Sequence, residues 1–264
     1  MVFAWLTEHR RRSILAEPFP PAWMDVLRRD MPSYACLTPE EQSRLCDLLR
    51  IFLAEKNWEG CGGLTLTDEI KVAISGQACL LILNLDREIY PNVESILVYP
   101  AAFVAKQPSL SPGGVVDESP LGLLGEAWSI GPVIVSWADA HDGGINPTDG
   151  RNVVYHEFAH KLDMRDGSAD GVPRLADDAQ YETWARVMSA EYTDLVKKAA
   201  HHQKSLLDAY GAVNAGEFFA VATECFFEKS VRMRETHSDL YGVLCGFYRQ
   251  DPAARAEDCS NHPV

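Results

Sequence analysis

Apolar positions recur at helical spacing over several stretches of the chain. Leu45, Leu48, Leu49, Phe52 and Leu53 repeat every three or four residues, and Thr38-Pro39-Glu40-Glu41 ahead of them forms a helix start. Thr caps, Pro suits the first turn, and the two acids complement the helix dipole. The pattern predicts a helix over 38–56. Residues 5–16 also read as helix, and Pro18, Pro20 and Pro21 then predict an extended stretch. The segment 58–63, WEGCGG, reads as a loop. Thr67-Asp68-Glu69 opens a further helix that Ile70, Val72, Ile74, Ala78 and Leu81 carry to about residue 84. Its mixed spacing predicts burial on more than one side.

The run 95–99, SILVY, is a short strand closed by Pro100, and the Pro- and Gly-rich residues 106–120 read as a loop. Residues 127–130 and 132–137 (PVIVSW) predict two strands joined as a hairpin through Gly131. Residues 143–150 form a turn-rich loop that leads into an apolar helix beginning near 151. An acidic loop over 164–178 follows, then helices over 181–201, 214–234 and 240–248, and from 251 a polar, loosely held tail. Helices, then a few strands, then helices argue for a single, mainly helical α+β domain with a small sheet. Its parts are an N-terminal helical portion over 1–60, a core over 65–250 and the tail 251–264.

Composition narrows the function. The 264 residues carry a formal net charge of -14, with 47% hydrophobic and 23% charged residues. That is ordinary for a soluble globular protein and argues against nucleic-acid binding, which uses a basic face. The one basic cluster, Arg10-Arg11-Arg12, is flanked by Glu8 and Glu17 and reads as a solvated helix face. The seven cysteines form no C-x-x-C pair, which predicts reduced, mostly buried thiols and a cytoplasmic protein. The longest apolar run, 78–83, is too short to span a membrane, and the N-terminal residues lack the order of a secretory signal.

The chemistry concentrates in residues 151–167, RNVVYHEFAHKLDMRDG. His156 and His160 are four apart, so on a helix about 40° of rotation separates them and both imidazoles project from one face. With Glu157 between them they form the H-E-x-x-H pattern, in which the histidines bind zinc and the glutamate is general base for a metal-bound water. Val153, Val154, Phe158, Ala159 and Leu162 make the surrounding helix apolar. Packing alone gives no reason for three ionisable groups there, because burying them unpaired is costly.

A catalytic zinc site normally has three protein ligands. The metzincin extension of the motif would place Asp166 third, but it needs Gly at the turn position, which is Asp163; the glycine comes later, at 167. The alternative is a glutamate from 210–228, YGAVNAGEFFAVATECFFE. There Asn214 is a plausible cap, and Glu217 and Glu224, seven apart, share a stripe of an otherwise apolar helix. Glu228, near the same stripe but at the helix end, reads as exposed.

HEFAHKLD together with YGAVNAGEFFAVATECFF resembles the Mlc titration factor A family of bacterial zinc metallopeptidases. The catalytic core of that family is similar to the protease domain of anthrax lethal factor. SWADA, HEFAHKLDMRDG and the EFFAVATE helix are all family-like, and the likeness is strongest over residues 125–230. The resemblance implies a zincin-like, gluzincin-type domain with one Zn2+ held by His156, His160 and Glu217, and with Glu157 as base. It also implies that Tyr210, seven residues before Glu217, donates a hydrogen bond to the oxyanion of the tetrahedral intermediate; taken alone, Tyr210 reads as a packing residue at a helix start. Thermolysin-like enzymes carry an acid four residues after the ligand glutamate to hold a zinc histidine, and here that position is Val221. Asp163 and Glu224 are the candidates for that role.

The motif implies a zinc peptidase, with strand 132–137 lining the cleft so that a peptide adds beside it, and the resemblance implies aminopeptidase-like cleavage of short peptides. The resemblance implies an alternative of another class: a latent or non-catalytic factor that sequesters the transcriptional repressor Mlc. A structural zinc site would need a fourth Cys or His, and none is evident.

Overall fold

The computed structural model describes residues 2–85, 88–101 and 131–261. The chain opens with helices α1 (Val2–Ala16) and α2 (Pro21–Asp30) and a 3₁₀ turn over Pro32–Cys36, followed by α3 (Pro39–Glu55). The capping box at Thr38 is complete: its hydroxyl accepts from Glu41 N–H while the Glu41 carboxylate accepts from Thr38 N–H. Pro21 does not extend the chain as expected but starts α2, where its fixed φ suits the first helical position and Val26 and Leu27 reach the core.

Strand β1 (Asn57–Gly60) lies where a loop was expected. It pairs in parallel with β2 (Ser95–Tyr99), Trp58 opposite Ile96, and β2 pairs in parallel with β3 (Val133–Ser136), Leu97 opposite Ile134. The pairing partner, not local propensity, makes β1 a strand. The central strand buries Ile96 and Val98 completely. Between β1 and β2 runs α4 (Asp68–Leu81), which ends three residues before the expected boundary and is buried along most of its length. The proposed strand over 127–130, and with it the hairpin, falls outside the described residues, as does the loop 106–120. Among the described residues β3 is an edge strand.

β3 stops at Ser136, whose hydroxyl caps α5 (Trp137–Ile145) by accepting from Asp139 N–H. This helix takes in Gly143 and Gly144, which were expected in a loop. A Cβ on Gly144 would stand 2.7 Å from the Asp30 carbonyl oxygen, so close packing against α2 and α4 requires glycine here. The chain continues through α6 (Val153–Asp163), a second 3₁₀ turn over Met164–Asp166, α7 (Asp178–Ala200), a third 3₁₀ turn over Ala209–Ala212 and α8 (Ala215–Glu228). The helix expected over 214–234 breaks at Lys229 and resumes as α9 (Ser230–Thr236), ahead of α10 (Ser238–Tyr248).

The last segment is not loose. It forms α11 (Pro252–Asn261), where Arg255 pairs with Glu41 at 2.7 Å, and a disulfide joins Cys259 to Cys36. The expectation that all seven cysteines are reduced is corrected: five are free. Spacing along the chain gave no hint of a pair 223 residues apart. The whole is a mainly helical α+β architecture with a small parallel sheet. Among the described residues no helix is long and apolar enough to cross a membrane.

Candidate metal centre

Two helices that pack side by side, α6 and α8, build the site. α6 starts at Asn152, whose side chain accepts from Tyr155 N–H at 3.0 Å. Val154, Phe158, Ala159 and Leu162 bury one face of α6 and leave His156, Glu157 and His160 on the other. α8 starts at Asn214, whose side chain accepts from Glu217 N–H at 2.9 Å. Phe218, Phe219, Ala222 and Phe226 hold it in the core, and Glu217, in its first turn, is 3% exposed.

The packing brings three potential ligand atoms together. His156 Nε2 lies 3.0 Å from Glu217 Oε2 and 3.2 Å from His160 Nε2, and His160 Nε2 lies 3.4 Å from the same carboxylate oxygen. Ligand atoms 2.0–2.1 Å from a tetrahedral ion stand about 3.3 Å from one another. The three measured separations fall around that value, so these residues fit a single metal ion. Asp166, the other candidate third ligand, instead accepts from Ser168 N–H on the surface at 3.0 Å.

Beside the triad, Tyr210 sits on the 3₁₀ turn Ala209–Ala212 with its ring centroid 5.9 Å from that of His156. It is 47% exposed, so it is not a core packing residue. Asp208 holds the turn by accepting from Tyr210 N–H at 2.9 Å and pairing with Arg151 at 2.9 Å. Glu157 is half-buried and interacts electrostatically with His156, His160 and Glu217.

Comparison with known proteins agrees with this architecture. Residues 5–249 match the family model of the glucose-regulated metallo-peptidase M90. This chain belongs to that family. It is 39% identical to an uncharacterized protein of Synechocystis sp. over 94% of this chain and 90% of that protein. It is 32% identical to the Mlc titration factor A of Serratia proteamaculans over 96% of this chain and 94% of that protein. With the factor of that name from Escherichia fergusonii the identity is 33% over 92% and 91%.

The electrostatics of this M90 family member follow from burial and pairing. Burial pulls the His156 pKa down, but hydrogen bonds to Glu217 and Glu224 outweigh it and push it up to about 10. Burial raises Glu217, yet His156 and His160 hold it down at about 2. Without metal the pair is an ion pair, and a metal ion must displace its proton. Burial raises Glu157, against the pull of the two histidines. Burial also raises Tyr210, with Glu217 and Glu157 adding to the effect.

Of the two acids that could partner a candidate ligand histidine, Glu224 takes the position: its Oε1 lies 2.7 Å from His156 Nδ1. Its Oε2 accepts from Asn152 N–H at 2.7 Å. Asp163 instead accepts from Gly171 N–H at 2.9 Å, and its other oxygen has no hydrogen-bond partner among the described residues. Burial raises its pKa to about 6. Glu228 is not exposed as expected. It is buried, and its Oε2 accepts from the N–H groups of Gly150 and Arg151, each at 2.9 Å. At 100° per residue, Glu217, Glu224 and Glu228 lie within about 40° of one another, so α8 presents one carboxylate stripe to the start and middle of α6. The spacings of seven and four carried that signal. A cleft of about 620 Å³ opens beside His156 and Glu224, with Asp139, Asp142, Asp149 and Arg151 on its walls.

Proposed function

We propose that this chain is a zinc-dependent peptidase of the aminopeptidase type acting on short peptides, working as one domain over residues 1–264. His156, His160 and Glu217 hold one Zn2+, Glu157 is the general base, and Tyr210 donates to the oxyanion. The observation that carries the reading is the 3.0–3.4 Å mutual spacing of the two Nε2 atoms and Glu217 Oε2. Membership of a metallo-peptidase family supports it.

When bound, zinc supplies a Lewis acid that lowers the pKa of a water molecule and polarises a carbonyl. Glu157 takes the proton of the attacking water and passes it to the leaving amine. The Tyr210 hydroxyl, beside Glu217, donates a hydrogen bond as charge develops on the scissile carbonyl oxygen. The acidic walls of the adjoining cleft favour a substrate that presents a positive group, as a free N-terminus does. A peptide strand beside β3 extends this reading, since β3 is an edge among the described residues.

The test is turnover of a panel of aminoacyl and peptide anilides by wild type and Glu157→Ala, with zinc content measured in both. Hydrolysis that is lost in a variant retaining its zinc supports the reading. Zinc in both proteins with turnover in neither refutes it.

A second reading rests on the relatives named Mlc titration factor A. In it this chain binds the repressor Mlc and needs no catalysis to do so. Capture of Mlc that survives Glu157→Ala supports this role, and no capture by either protein refutes it.

A further inference from the structure

We infer that Gln77 is a positioning residue for His156, acting through Asn152 and Glu224; the inference rests on the metal-centre reading above. Gln77 lies in the middle of α4 and is 1% exposed. Its Nε2 donates to the carbonyl oxygens of Ala73 at 3.1 Å and Ala140 at 3.0 Å, and its Oε1 accepts from Asn152 Nδ2 at 2.9 Å. Two backbone carbonyls on one side of the amide leave it only one orientation.

Asn152 is held equally fully. Its side-chain oxygen accepts from Tyr155 N–H, its carbonyl accepts from His156 N–H at 2.9 Å, and its own N–H donates to Glu224. Glu224 then holds His156 Nδ1. A continuous hydrogen-bonded path therefore runs from α4 through the first residue ahead of α6 to the carboxylate that orients a candidate ligand ring. Both amides are fixed by backbone at one end, so the path constrains where α6 starts and how the His156 ring is turned.

Two observations indicate that the path is more than incidental packing. A buried amide costs stability unless its hydrogen bonds are made, and an apolar side chain of similar volume would avoid that cost. In addition, α5 approaches both amides closely: a Cβ on Gly144 would clash with Gln77 Nε2 at 2.8 Å, and one on Gly143 would be tight against Asn152, 3.2 Å from Nδ2.

The experiment is a double-substitution cycle on the full-length zinc protein, with zinc affinity read by chelator competition well below the unfolding temperature. Gln77→Met keeps volume and removes the amide; Asn152→Ser keeps a capping oxygen for Tyr155 N–H and loses the reach to Gln77. Gln77→Met is expected to weaken zinc affinity about tenfold, the lower end for groups that orient a metal ligand. In an Asn152→Ser background it should add less than twofold, because the path is already cut. The inference is overturned if Gln77→Met leaves affinity within twofold of wild type, or if the two effects simply multiply, as independent packing losses would. Should Gln77→Met not fold, Asn152→Ser alone decides: a tenfold loss supports the path and an unchanged affinity overturns it. The metal-free protein gives a separate readout, the downfield imidazole proton resonance of His156 Nδ1–H held by Glu224. If wild type takes up no zinc, the metal-centre reading fails, and this resonance still decides the path: a shift in Gln77→Met supports it and no shift overturns it.

Discussion

Replacing Glu224 with Gln changes one atom and breaks one of two hydrogen bonds in every rotamer. The carboxylate accepts from Asn152 N–H and His156 Nδ1–H, both at 2.7 Å, whereas an amide has a single acceptor oxygen. If that oxygen stays with Asn152, the NH2 group faces His156 Nδ1 and selects the Nε2–H tautomer, which has no lone pair at Nε2 for a metal. If it stays with His156, two donors oppose each other at Asn152. Charge-assisted bonds of this kind contribute about 1.5–3 kcal/mol, so the metal-free protein should lose about that much stability. Metal affinity should fall about 10- to 100-fold, as for other groups that orient a ligand histidine. The loss should be smaller at pH 6 than at pH 9. Glu224 helps to raise the His156 pKa to about 10, so removing its charge also weakens the proton that competes with the metal. Chelator competition at both pH values measures this directly. Affinity within twofold of wild type at both would refute the assignment of Glu224 as the partner of His156.

Further outcomes follow from other contacts. Burial pushes Glu228 up to about 8 from 4.5, so the folded state binds this proton more tightly than the unfolded chain and stability falls as pH rises through that window. Glu228→Gln, which can still accept from Gly150 and Arg151, should remove that part of the decline; melting curves of the two proteins should agree near pH 4 and diverge by pH 8. Gly171 has φ +77°, and a Cβ there would stand 2.4 Å from the Ala215 carbonyl oxygen, two residues before Glu217. Gly171→Ala should therefore cost at least about 1 kcal/mol in thermal unfolding and weaken metal binding as well. A thiol reductant should lower the melting temperature of wild type but not of Cys259→Ser, because the Cys36–Cys259 crosslink should stabilise by about 2–4 kcal/mol.

Helix starts were most legible where an apolar period follows a start signal. α3 has Thr38 and two acids, and α8 has Asn214, and each cap makes its bond in the folded protein; α7, expected from 181, starts three residues earlier behind an Asp177 cap that the acidic loop concealed. Elements escaped where tertiary contacts override local preference. WEGCGG offers turn residues, yet 57–60 completes a parallel pair because β2 lies beside it. Gly143 and Gly144 look like loop residues until Asn152 is seen pressed against the first, and Asp30 and Gln77 against the second. The Pro-rich stretch concealed α2 because a proline that ends one helix can begin another.

The site was legible to the extent that helical geometry reaches. Four-residue spacing puts His156 and His160 on one face, and seven-residue spacing puts Glu217 and Glu224 on one stripe, but neither spacing says which carboxylate meets which ring. That is settled by the axial offset between α6 and α8, which depends on contacts distant in sequence: Asn152 N–H on Glu224, and Gly150 and Arg151 on Glu228. The offset places the first carboxylate of the stripe at the two Nε2 atoms, the second at His156 Nδ1 and the backbone of Asn152, and the third at the preceding loop. A single helix face thus contributes a candidate ligand, orients another and anchors the chain that carries both. This accounts for three buried acids on one apolar helix: each has a cation or N–H groups opposite it, and removing any one should disturb the other two contacts more than its own bond energy predicts.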